Sequence, residues 1–114
     1  MTEKTHAVPN GMIHYWMNDF QPGRAVLVFL PGLTADHRLF DKQVEAFEST
    51  YNLLAWDAPG HGKSRPFVMD FTLAQKAAWL HAILQAESIT APVLVGQSVG
   101  GYLSQAYIQA YPGE

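Results

Sequence analysis

The chain has no cysteine among its 114 residues. That excludes a thiolate nucleophile, a thiolate zinc site and disulfide bridges, and it leaves the compartment open. Charge is sparse as well. Seven Lys and Arg stand against ten Asp and Glu, for a net charge of -3, and they are scattered singly. This offers no basic patch for nucleic acid and no polybasic membrane anchor. Long apolar runs are missing. The longest, Ala25-Val26-Leu27-Val28-Phe29-Leu30, is far too short to span a bilayer. Met1-Thr2-Glu3-Lys4-Thr5-His6 lacks the charged and apolar pattern of a signal peptide, so a cytoplasmic location is the expectation. The histidines, His6, His14, His37, His61 and His81, show no metal-ligand spacing, and neither a metal nor a cofactor is expected.

A hydrophobic fraction of 48% and an aromatic fraction of 12% suit a globular core of at most one domain. Pro9-Asn10-Gly11 suits a tight hairpin turn. After it Ile13, Tyr15 and Met17 alternate with His14, Trp16 and Asn18, as in a half-buried strand. A second turn falls at Gln21-Pro22-Gly23. Ala25 to Leu30 is continuously apolar, as a strand buried on both faces is. Pro31-Gly32-Leu33-Thr34 breaks it. The spacing of Phe40, Val44 and Phe47 predicts a helix, and Asn52 to Trp56 a short strand. Thr72 caps a second helix, along which Leu73, Ala77, Leu80 and Leu84 form an apolar seam. Pro92 to Val95 is a third apolar strand. A last helix runs from about Val99 to Tyr111, with Tyr102, Leu103, Ala106, Tyr107 and Ala110 as its buried side. Phe40, Trp56 and Tyr102 read as core rather than pocket wall. Hairpin, strand, helix, strand, helix, strand, helix is the order of a parallel sheet with helices on its faces.

The chemistry-bearing motif is Gly96-Gln97-Ser98-Val99-Gly100, between an apolar strand and an apolar-faced helix. G-x-S-x-G in that setting is the pattern of a nucleophile elbow, a sharp turn that lifts a serine hydroxyl out of the chain. Gly96 and Gly100 suit a turn in which a Cβ would meet neighbouring backbone. The bland alternative is a serine that caps a helix. The backbone N–H of Val99, at the helix start, favours a developing oxyanion. Pro31-Gly32 at a strand end brings the next amide, that of Leu33, toward the same place as a second donor. Gly62-Lys63-Ser64 imitates the end of a phosphate-binding loop. That loop needs a glycine where Asp57 stands, and Pro59 removes a donor, so the segment 57–64 reads as a structural turn. His37 and His61 fall on loops at the carboxyl ends of strands and line a pocket at most; neither is assigned as the general base.

Leu30-Pro31-Gly32, Asp57-Ala58-Pro59-Gly60-His61-Gly62-Lys63-Ser64 and Gly96-Gln97-Ser98-Val99-Gly100-Gly101 stand in an order and spacing that resemble the α/β-hydrolase superfamily. The similarity is to its small esterase-like and carbon–carbon-bond-hydrolase-like members, and it covers nearly the whole chain. The resemblance implies an eight-stranded sheet and a serine–histidine–acid triad. It matches Ser98 to the nucleophile and the amides of Leu33 and Val99 to the oxyanion hole. Many members have His-Gly at Pro31-Gly32. Serine at 98 argues against dehalogenase and epoxide-hydrolase relatives, whose nucleophile is a carboxylate. In this family the acid and the histidine follow the serine, and no histidine follows Ser98 here.

The expected fold is therefore the N-terminal part of an α/β-hydrolase sheet: an N-terminal hairpin plus three parallel strands with flanking helices. Residues 1–114 would form a single partial domain without the C-terminal strands and cap. The strand at 92–95 would then be an unpaired edge. The implied function is hydrolysis of a small-molecule ester or related acyl compound through an acyl-enzyme. Nucleic acid and membrane are not expected as partners, and the missing C-terminal half of its own fold is. The fragment alone would be nearly inactive. The alternative is a non-catalytic half-fold that binds a partner along its exposed edge strand.

Overall fold

A computed structural model describes residues 1–32 and 35–112, the side chain of Val99 excepted. Two antiparallel strands, β1 (Thr2–Val8) and β2 (Gly11–Met17), form the hairpin around Pro9-Asn10. β3 (Val26–Leu30), α1 (Asp41–Phe47), β4 (Asn52–Trp56), α2 (Leu73–Ala86), β5 (Val93–Gly96) and α3 (Val99–Ala110) follow. A single 3-10 turn, His37–Phe40, leads into α1. The sheet is mixed, in the order β1-β2-β4-β3-β5. β2 runs antiparallel to β4, while β3 is parallel to both β4 and β5. The described residues thus form five strands, of which three are parallel.

The continuous apolar strands are explained by the two-residue period. Val28 and Leu30 of β3, with Leu54 and Trp56 of β4 and Ile13 and Tyr15 of β2, pack beneath α2 and α3. Their neighbours Phe29, Leu53 and Ala55 face the other way and pack with Phe40. Both faces are covered, so neither set of side chains is free to be polar. Thr72 accepts a bond from the Gln75 N–H, and the Gln75 side chain accepts one from Thr72 N–H. This reciprocal cap fixes the start of α2. At its other end Glu87 takes the Lys4 ammonium (2.8 Å) and the Tyr15 hydroxyl (2.5 Å), tying the hairpin to α2.

Several expected core positions are placed differently. Tyr102 is 65% exposed and Ala110 is exposed, while Leu103 and Tyr107 are buried. The contact stripe of α3 follows the i, i+4 pair 103 and 107, which turns Tyr102 about 100° away from the sheet. Phe47 and Leu73 lie at helix ends and are exposed, and Trp16, on the side expected to be polar, is buried. Phe40 and Trp56 are core. Lys76 is buried on α2, and burial pushes its ammonium down. No helix among the described residues is long and apolar enough to cross a membrane.

Candidate active site

The connections position the site. From β3 the chain passes one way to β4, then returns past β3 to β5. The direction of strand order therefore reverses between β3 and β5, and a crevice opens at the carboxyl ends of such strands. Pro31-Gly32 leaves β3 at that place, and Gln97-Ser98 leaves β5.

Backbone bonds and glycines close the two connections against each other. Gln97 N–H donates to Leu30 O (3.1 Å), and Gly32 N–H donates to Gln97 Oε1 (3.1 Å). A Cβ on Gly32 would stand 3.1 Å from Ser98 Cβ and strike Gln97 O at 2.7 Å. One on Gly96 would strike the Gly100 carbonyl and stand 2.6 Å from Gly101 N. One on Gly100 would strike the Leu30 carbonyl. Three glycines thus let β3, β5 and α3 converge where no side chain fits.

Ser98 sits at the centre of this convergence with φ 55° and ψ -113°, a left-handed conformation that a residue with a Cβ rarely adopts. Its side chain is exposed and makes no capping bond to α3. Among the described residues no hydrogen bond to its hydroxyl is formed. Ser98 O accepts from Gly101 N (2.8 Å), so the backbone is held while the side chain is left out. Val99 opens α3, where its N–H has no carbonyl within the helix to meet. Leu33 and Thr34 lie outside the described residues. Gln97, whose side chain fixes the Gly32 amide, was not singled out by the sequence; nothing in its type or spacing distinguishes it from a surface glutamine.

The segment 57–64 makes a turn held by its own side chains. Asp57, 1% exposed, accepts from His37 N–H (2.7 Å), from Lys63 N–H (2.8 Å) and from the His37 ring at Nδ1 (2.8 Å). Ser64 Oγ donates to Asp57 O (2.6 Å) and accepts from His14 N–H (2.9 Å). Lys63-Ser64 is therefore engaged in turn bonds rather than in a phosphate cradle. His37 is occupied by Asp57, and His61 meets Pro59 O (3.2 Å). His81 stacks on Tyr111 with centroids 3.8 Å apart and meets the Tyr107 hydroxyl. Asp36, His37 and Asp57 bring ligand-type atoms within 4.8 Å of one another, a grouping in space that the sequence spacing did not announce. Arg38 grips Asp36 through Nε and Nη2, and this bonding holds its carboxyl down to about 2.

A family model described as alpha/beta hydrolase fold matches residues 25–114. The magnesium-chelatase 30 kDa subunit of Rhodobacter capsulatus is 32% identical over 82% of this chain and 34% of its own length. The 2-hydroxy-6-oxononadienedioate/2-hydroxy-6-oxononatrienedioate hydrolase of Burkholderia vietnamiensis is 34% identical over 88% of this chain and 36% of its own. Among solved structures, Est816, an N-acyl homoserine lactone degrading enzyme, aligns with a TM-score of 0.88 over 97% of this chain and 42% of that one, at 22% identity. That last likeness is one of fold. The chain spans about a third of the length of the curated relatives it matches.

Proposed function

Because the chain belongs to the alpha/beta hydrolase fold family, we propose that it hydrolyses a small-molecule ester or related acyl compound with Ser98 as nucleophile. The observation that carries this reading is the backbone of Ser98: φ 55°, side chain exposed, no capping bond. A serine placed to cap a helix has extended backbone and spends its oxygen on the helix amides. Ser98 does neither. Strain of this kind costs on the order of 1–3 kcal/mol and persists where the surroundings impose it. Gly32, Gly96 and Gly100 are the residues whose lack of a side chain allows that imposition.

In the proposed reaction Ser98 Oγ attacks the acyl carbon while a base accepts its proton. The oxyanion is held by the N–H of Val99 and that of Leu33. The leaving group departs with the proton, and water releases the acyl group from Ser98. The base and its acid partner are assigned to later segments of the fold, following Glu114, as the serine, acid, histidine order of this family has them. The relative named as a dienedioate hydrolase supports a small acyl substrate. The intact protein is expected to hydrolyse p-nitrophenyl acyl esters with a burst of nitrophenolate. Ser98→Ala should lose at least about 10⁴-fold of that rate. A variant as fast as the parent would refute the assignment.

A second reading, a non-catalytic binding module, draws on the relative named as a magnesium-chelatase subunit rather than as a hydrolase. It requires a folded intact protein that turns over no ester at all.

A further inference from the structure

Two strands from Ser98 along the same edge of the sheet lies a cleft of about 430 Å³. One wall is flat and rigid: the Trp16 indole and the His37 ring stack with centroids 3.5 Å apart and planes 16° from parallel. Asp57 fixes His37 in that position through its ring and backbone nitrogens. The opposite rim is the loop that carries Gly62, Lys63 and Arg65. Gly62 has φ +49°, and a Cβ there would strike the Asp57 carboxylate. The glycine thus lets the loop fold close enough for Lys63 N–H to reach Asp57, which sets Lys63 and Arg65 at the mouth.

The charges in the cleft do not cancel evenly. Its two carboxylates are already engaged: Asp57 accepts from His37 and Lys63 N–H, and Asp36 from the Arg38 backbone and guanidinium. Of its three cations, Arg38 is held by Asp36, and the other two are engaged far less. Arg65 spends its Nε on Gly62 O (3.0 Å), and its two terminal nitrogens have no partner among the described residues. Among the described residues the Lys63 ammonium has one hydrogen-bond partner, Glu3, at 3.4 Å, and lies 6.0 Å from the centre of the Trp16 ring. A metal ion on Asp36, His37 and Asp57 would have to break these bonds and sit among Arg38, Lys63 and Arg65. The arrangement instead suits a negative group.

We infer that this cleft binds a small oxyanion, a carboxylate or a phosphate, on Lys63 and Arg65 against the Trp16–His37 wall. Arginine presents parallel N–H donors to either group. The site uses neither Ser98 nor its chemistry.

The test is titration calorimetry of the intact protein with sodium benzoate and with sodium phosphate, each against sodium chloride at matched ionic strength. The partner experiment uses the Lys63→Gln/Arg65→Gln double variant. Both side chains are exposed, so the variant is expected to melt as the parent does. Saturable binding of either anion, weakened roughly tenfold or more in the variant, is the expected result. Saturation by benzoate alone identifies a carboxylate site, and by phosphate alone a phosphate site. Heats no larger than those of chloride, or equal affinity in the double variant, would overturn the inference.

Discussion

At the scale of the residue, adjacent glycines in α3 carry opposite roles. A side chain at Gly100 would be driven into the Leu30 carbonyl, whereas one at Gly101 would meet nothing within 4 Å. Alanine is the better helix former at both, by roughly 0.5–1 kcal/mol. Gly101→Ala is therefore expected to raise stability by about that amount. Gly100→Ala should lower it by about 1–3 kcal/mol, because overlap with a backbone atom cannot be relieved by rotating a side chain. Urea unfolding of both variants checks the pair, and a Gly100→Ala as stable as the parent would contradict the close approach. Glycine and serine positions were legible in the sequence because the motif Gly96-Gln97-Ser98-Val99-Gly100 states a spacing that few local structures satisfy. Gln97 was not legible. Its part depends on Gly32, 65 residues away, and no local pattern encodes that contact.

At the scale of the element, strands and helices are legible where period and caps agree. Asn52–Trp56 and the Thr72 cap are placed as the pattern required. It misplaced side chains where a helix's rotation is decided by its neighbours. Apolar spacing predicts Tyr102 as buried, but α3 also meets α2, and Leu103 and Tyr107 are the buried residues. The link between the hairpin and α2 was likewise not visible, since Lys4, Tyr15 and Glu87 lie far apart in the chain. Burial alone would raise the Glu87 carboxyl, but bonds from Lys4 and Tyr15 outweigh it and leave it below its usual value. Burial, and then the Glu87 bond, pushes the Tyr15 hydroxyl up. A carboxyl lowered by folding stabilises the native state above its unfolded pKa, and that stability is lost as pH falls through the folded value. Melting temperature should thus decline below about pH 4.5. Glu87→Gln should melt lower at pH 7, by about 1 kcal/mol of stability, and decline less steeply in acid. Parallel pH profiles for parent and variant would contradict the clamp.

At the scale of the whole molecule, the order of elements was readable because strand and helix periods alternate cleanly, and alternation implies a parallel sheet. The strand order was not, since it depends on β5 returning past β3. That return brings Pro31-Gly32 and the Ser98 turn together at one end of the sheet. It also leaves β5 at one side of the described sheet, with Val93 49% exposed, and Tyr102 and Ile108 of α3 are exposed as well. In the proposed enzyme these surfaces are where the later strands pack, bringing the base toward Ser98. The central claim is that the Ser98 hydroxyl is a nucleophile, and it is tested most directly by the mass of the intact protein after treatment with a fluorophosphonate. The account predicts one adduct per molecule, absent from Ser98→Ala. An adduct that survives in Ser98→Ala, or a folded parent that takes up none, would contradict it.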